Sequence, residues 1–231
     1  MKKSNIYLIC LLSLAFLFVA GSNLVLKAEY EKIDQNDIYH GYKKEKLKPF
    51  KYLKINGKKV GVTQIQPGPD FEIRYNVERK MLDWKITGDT LELIHKRTLD
   101  EGTDPYYTFD SKPAIYVMAP QIAGIDVTDA VNILKGWNSE NFNLKQKGNS
   151  TLLTDNTINN LSANLNSGGY LLINGKNKIR KSDIILKDSS ELSSEKDIFS
   201  LKHIRCFRIH FRITTFNLIV TIRYYTHSMC I

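Results

Sequence analysis

The sequence predicts an all-β fold, a stacked parallel β-solenoid with coils of about 21 residues. Three observations predict it. From Tyr52 onward apolar and polar residues alternate, as in FEIRYNV (71–77) and LDWKITGDTLELI (82–94). Gly, Pro and Asp punctuate the alternation at short intervals, as at Gly88-Asp89 and in the Pro-Gly-Pro of residues 67–69. And LSANLNSGGYLLING, residues 161–175, matches its neighbours when shifted by one such coil either way. Phe142, Ala163 and Ile184 then align, as do Leu144, Leu165 and Leu186, with Gly148, Gly169 and Ser190 at the corner. A coil of this kind cannot bury its inward face alone, so columns such as Phe142–Ala163–Ile184 would form the core along the stack. A β-sandwich also gives alternation, but rarely a constant period over three copies. Upstream, Ile115 and Val117 stand more than one period before Phe142 and Leu144, which asks for an inserted loop near Trp137–Glu140.

The elements follow in chain order. Lys2 and Lys3 precede Ile6–Ala20, a run that is apolar except for Ser13. Residues 1–28 therefore read as a hydrophobic helix ahead of the solenoid, a signal peptide or a membrane anchor. Cleavage sites are available before Ser22 and before Glu29; uncut, the span extends through Leu24, Val25 and Leu26 and holds the body outside the membrane. Residues 29–47 are polar, of mixed charge and without a steady period, and read as a linker; Tyr39, His40 and Tyr42 within it are better explained as solvated than as a site. Residues 48–194 carry the strands. Residues 195–231 form an atypical basic tail without Gly or Pro, in which Phe207, Ile209, Phe211 and Ile213 alternate with Arg208, His210 and Arg212. Three readings compete for the tail: a terminal strand, a basic surface for anionic lipid, and a frameshift product that cuts the repeat short.

Charge argues against nucleic acid. The net charge is +9, but Lys202, Arg205, Arg208, Arg212 and Arg223 lie beyond Phe199, where no acid occurs, and Lys2 and Lys3 lie at the start, which leaves +2 for the body. Cys10, Cys206 and Cys230 are the only cysteines, with no zinc spacing among them; whether the last two pair is open.

The search for chemistry yields no catalytic, cofactor-binding or metal-binding residues. His40, His95, His203, His210 and His227 are scattered, and no nucleophile-elbow, zinc-protease or phosphate-loop motif occurs. Asp126 and Asp129 are the nearest thing to paired carboxylates, yet their opposite parity on one strand would send them to opposite faces. Asp89 reads as a turn residue. Trp84, Trp137, Tyr106, Tyr107 and Tyr170 could stack on sugar rings, and core packing or loop cover explains each as well.

FKYLKINGKKVGVTQIQPGPDFEIRY, the turn at Ile86–Leu93, the Ala-Pro strand end and isoleucine-rich strand of Ile115–Val127, and NLKQKGNSTLLT resemble the head GIN domain family, also described as candidate auto-transporter adhesins, common in Bacteroidetes-type bacteria. The resemblance covers about residues 48–194. It implies an exported protein that folds as a right-handed parallel β-helix. The function expected is a non-enzymatic cell-envelope protein of adhesin-like type in the periplasm or at the cell surface. Its partners would be the membrane, through the N-terminal segment, and a glycan or surface protein. Two other classes stay open, a carbohydrate-active enzyme and a purely structural envelope protein.

Overall fold

The computed structural model describes residues 3–31, 37–57, 60–96 and 107–195, and the backbone of 201–205, 208–214 and 217–223. The chain divides into two compact units, Met1–Tyr42 and Lys43–Ile231.

The first unit is built on helix α1 (Lys3–Glu31). Leucines and other apolar side chains dominate it without a proline, so helix propensity and hydropathy agree. Its apolar residues point outward on all sides, Leu8, Leu11, Phe16, Phe18 and Leu24 among them. Ser13 and Ser22 hide their hydroxyls: Ser13 Oγ donates to the Ile9 carbonyl at 2.8 Å and Ser22 Oγ to the Val19 carbonyl at 2.9 Å. The stretch Asn5–Glu31 has 27 residues and a mean hydropathy of 2.3, long and apolar enough to cross a membrane. At 1.5 Å per residue it measures about 40 Å, more than a hydrocarbon core of about 30 Å. A short turn follows at Asp37–Tyr42, closed by the His40 amide on the Asp37 carbonyl at 3.0 Å.

The second unit is made of strands in two sheets. The first part of the chain supplies β1 (Lys43–Lys46), β2 (Tyr52–Asn56), β3 (Val62–Pro67) and β4 (Glu72–Tyr75). After a 3-10 turn at Arg79–Met81 come β5 (Leu82–Thr87), β6 (Thr90–His95), β7 (Ile115–Ala119) and β8 (Gly124–Thr128). Then follow β9 (Val131–Lys135), β10 (Asn138–Lys147), β11 (Ser150–Thr154), β12 (Thr157–Asn166), β13 (Tyr170–Ile173), β14 (Lys178–Leu186) and β15 (Glu191–Ser194). The tail adds β16 (Leu201–Arg205), β17 (Arg208–Thr214) and β18 (Asn217–Arg223). Ten strands form one sheet in the order β1-β4-β7-β3-β9-β11-β13-β15-β18-β17; eight form the other in the order β16-β14-β12-β10-β8-β2-β6-β5.

The strands are where alternation placed them, and the alternation sorts the faces. Leu53, Ile55, Leu91, Leu93, Ile125, Val127, Phe142 and Leu144 of the eight-stranded sheet join Ile65, Ile73, Ile115, Val117, Leu134, Leu153 and Leu171 of the other in one buried cluster. From β8 to β15 successive strands go to alternate sheets. The corners between them use left-handed backbone at Asp129, Gly148, Ser167 and Asp188, with φ near +50 to +60°. Only Gly adopts this without penalty, and Asp, Asn and Ser tolerate it by hydrogen bonding locally.

The expected all-β right-handed parallel β-helix is corrected. The fold is mixed, an N-terminal helix with two large, mostly parallel sheets. A β-helix stacks its strands in chain order, whereas here β3 lies between β7 and β9, and β2 between β6 and β8. Antiparallel pairs also interrupt the pattern, at β1·β4, β4·β7, β5·β6, β15·β18 and β17·β18.

The constant register fails too. Leu161 pairs with Ser182 and Ala163 with Ile184, at the expected period, but Phe142 pairs with Leu161 and Leu144 with Ala163, two positions short of it. A slip of two keeps every side chain on its own face, so an alignment off by two still matched apolar to apolar. The upstream copy was also misplaced. Ile115 and Val117 belong to the other sheet, against β3 and β4; the true neighbour of Leu144 is Ile125, again two positions short of the period. No inserted loop is needed at residues 137–140, where Trp137 turns the corner and β10 begins. In the tail, β16 joins β14 in parallel and the β17–β18 hairpin lies along β15. The tail's side chains, with the expectations for Cys206, Cys230, His203, His210 and His227, lie outside the described residues.

Candidate binding face

Strand parity that sends Leu53, Ile125, Phe142 and Leu161 inward sends their neighbours to the outer face of the eight-stranded sheet. Register then lines these neighbours up. Tyr52 pairs with Gly124, Gly124 with Asn143, Asn143 with Ser162, and Ser162 with Asp183. The row runs across five strands, with an aromatic ring at one end and short polar side chains beyond it. On one side it is flanked by Asn141, Asn160 and Lys181, and on the other by Lys54, Asp126 and Lys145. Long side chains beside short ones make a trough.

Two depressions follow it. The larger, about 480 Å³, lies among Asn141, Asn143, Asn160, Ser162, Lys181 and Asp183. The smaller, about 290 Å³, lies among Tyr52, Lys54, Thr90, Asp126, Asn143 and Lys145. Asn143 belongs to both. Gly124 forms the floor of the second, because a Cβ there would stand 2.5 Å from the Asn143 carbonyl oxygen. Tyr52 is 42% exposed, a large flat ring left open to solvent.

The wall is braced. Glu92 receives Lys54 Nζ at 3.3 Å and Lys85 Nζ at 3.0 Å, and Asn56 Nδ2 donates to it at 3.2 Å. The hydrogen bonds from Lys85 and Lys54 hold its carboxyl below the ordinary range. On the other flank Asn160 Nδ2 donates to Asn141 Oδ1 at 3.0 Å. The face thus presents amide, hydroxyl, carboxylate and ammonium groups around an exposed ring. Such groups can hold a polar ligand by shallow contact.

The residues weighed for chemistry scatter. Asp126 lines the smaller depression, while Asp129 sits on the left-handed corner after β8, φ 59°, so the two carboxylates do not share a site. Asp126 and Asp183 both reach the outer face but are three strands apart, about 14 Å at 4.7–4.9 Å per strand. A glycosidase pair needs roughly 5–9.5 Å. Among the described residues no group of three or more His, Cys, Asp or Glu could hold a metal. Asp89 is a turn residue, with its carbonyl accepting from the Lys51 and Tyr52 amides.

The aromatics divide. Trp137 is 3% exposed and its Nε1 donates to the Ile65 carbonyl at 3.0 Å, which makes it core. Trp84 carries the Arg79 guanidinium 3.9 Å from its ring centroid and packs edge-on against Tyr75. Tyr107 and Phe109 pack on Val62, Val131 and Ile133, a small apolar cluster on the outer side of the ten-stranded sheet. Tyr170 stands on β13, half-buried, and Tyr106 lies outside the described residues. Tyr39 meets Tyr42 edge-on at 6.4 Å in the turn after α1. Tyr52, Gly124, Asn143 and Ser162 were not foreseen. From Asn143, a step two positions shorter than the expected period finds Gly124 and Ser162; the full period does not.

No family model matches the chain, and no curated protein matches it. Solved structures are similar at low identity. A candidate adhesin from Bacteroides fragilis is 13% identical, with a TM-score of 0.47 over 64% of this chain and 77% of that one. A candidate lipid-binding protein from Parabacteroides distasonis is 15% identical, with a TM-score of 0.38 over 69% of this chain and 83% of that one. A candidate adhesin from Parabacteroides merdae is 10% identical, with a TM-score of 0.38 over 64% and 78%.

Proposed function

We propose that this chain is an exported, membrane-associated envelope protein that binds rather than catalyses. In this reading α1 is the signal or anchor, and the outer face of the eight-stranded sheet is the binding surface. The ligand is an extended polar chain, a glycan before a surface protein. The observation that carries the reading is the Tyr52–Gly124–Asn143–Ser162–Asp183 row, a trough with an open ring at one end and hydrogen-bonding groups along its length. Sugars offer just these partners, a face of C–H groups for the ring and hydroxyls for amides and carboxylates.

The test is binding of the full chain, in detergent micelles, to a panel of immobilised glycans. Tyr52→Ala and Asn143→Leu should each weaken retention of the bound glycan by about tenfold or more, the equivalent of about 1.4 kcal/mol. Asn159→Ala, outside the trough, should leave it unchanged. If no glycan is retained, or the trough variants bind like the parent chain, the reading fails and a purely structural role takes its place.

A further inference from the structure

We propose that the corner between β13 and β14 is a built-in deamidation site at Asn174-Gly175. The chain has two described Asn-Gly pairs, and the structure treats them differently. At Asn56-Gly57 the Gly57 amide is fixed in the ladder on the Thr128 carbonyl at 3.1 Å, and the Asn56 amide donates to Glu92 at 3.2 Å. At Asn174-Gly175 the groups that must react are addressed instead. The Gly175 N–H donates to Glu195 Oε2 at 3.0 Å, and the Lys176 N–H donates to Asn174 Oδ1 at 2.9 Å. Glycine adds no side chain to obstruct the approach.

These contacts match the demands of the chemistry. The Gly175 nitrogen attacks Cγ of Asn174 while the Glu195 carboxylate takes its proton. Negative charge develops on Asn174 Oδ1, where the Lys176 N–H already donates. The Cγ–Nδ2 bond then breaks, the proton held by Glu195 leaves with the nitrogen as ammonia, and a succinimide ring remains. Water opens that ring at either carbonyl, giving aspartate or isoaspartate. The corner has something to lose, since the Asn174 carbonyl accepts from Asn177 Nδ2 at 2.8 Å and from the Asn177 amide at 3.2 Å. An isoaspartate adds a backbone atom there and a negative charge beside Glu195, and loosens the corner slowly with age. The site does not depend on the proposed glycan face.

The experiment ages the full chain in detergent at neutral pH and maps its peptides by mass and by isoaspartate methylation. The Asn174 peptide is expected to gain the mass of an amide-to-acid exchange and to accept methyl groups, while the Asn56 peptide stays an amide. Glu195→Gln, an exposed change that keeps an acceptor but removes the base, should slow conversion by about tenfold or more. Asn174→Gln should abolish it. Equal rates at Asn174 and Asn56, or a Glu195→Gln rate equal to that of the parent chain, would overturn the proposal.

Discussion

Replacing Asn156 by leucine should destabilise the strand unit by roughly 3 kcal/mol or more, because one side chain satisfies several buried backbone groups. Asn156 is 1% exposed and sits at the corner between β11 and β12. Its Oδ1 accepts from the Trp137 amide at 2.9 Å, one corner below. Its Nδ2 donates to the Leu134 carbonyl and to Asn177 Oδ1, each at 2.9 Å. Asn177 repeats the arrangement one corner above, its Nδ2 donating to the Leu153 carbonyl at 2.7 Å. The side chains form a ladder that replaces strand pairing where the chain leaves one sheet for the other. Leucine fills the space but leaves the Trp137 backbone N–H buried without its acceptor. Aspartate is the sharper variant: it keeps the acceptor for Trp137 but turns a carboxylate toward two acceptors, the Leu134 carbonyl and Asn177 Oδ1. It should be worse than leucine at neutral pH and recover partly on acidification. Asn159→Ala, which removes a surface bond to Glu140, should cost within about 0.5 kcal/mol. Urea unfolding of the full chain in non-denaturing detergent measures all three, and the leucine variant should lower the midpoint by roughly 1 M or more. A midpoint that barely moves would mean that the ladder contributes nothing.

The same asparagines mark the limit of what was legible. Parity was legible, because burying one face of a strand dictates every second residue, as in β2, β6 and β13; β7, buried at every position, is where that signal fails. Helix α1 was legible from Ile6 to Ala20, where hydropathy is continuous, and through Leu26 if uncut; its extension to Glu31 was not, since Lys27 and Glu29 interrupt the run. Strand order was illegible: alternation says that Leu53 points inward but not that β2 pairs with both β6 and β8. Register was half-legible, since a slip of two preserves parity. The trough depends on register, so Gly124 and Ser162 were invisible as partners of Asn143. Asn156 and Asn177 carry no signal of their own in the sequence, and their role exists only once the corners stack.

Acidification should destabilise the strand unit through His95, by roughly 3 kcal/mol in total, since each unit of pKa shift is worth about 1.4 kcal/mol. His95 ends β6, is 7% exposed, and its Nε2 has no hydrogen-bond partner among the described residues. Burial pulls its pKa from 6.5 down to about 4, against the opposing effect of a hydrogen bond to the Gly57 backbone. The unfolded chain therefore takes up a proton that the folded one refuses, between pH 6.5 and about 4. Stability from this source is complete above 6.5, falls as the pH drops through the window, and levels off below about 4. The carboxylates act lower. Glu72 sits 2.6 Å from Lys44 Nζ and 2.7 Å from Arg74 Nη2; burial works to raise its carboxyl, but those two partners hold it below 4.5. The stability that Glu72 confers is present above 4.5 and lost as the pH falls through its lowered value. The upper part of the window thus belongs to the imidazole alone among these groups. His95→Leu should remove the pH dependence of the unfolding midpoint between 6.5 and 5 while leaving the steeper acid loss below 4.5 in place. If the leucine variant loses stability across that upper interval as steeply as the parent chain, the proton is taken up elsewhere and His95 is not its site.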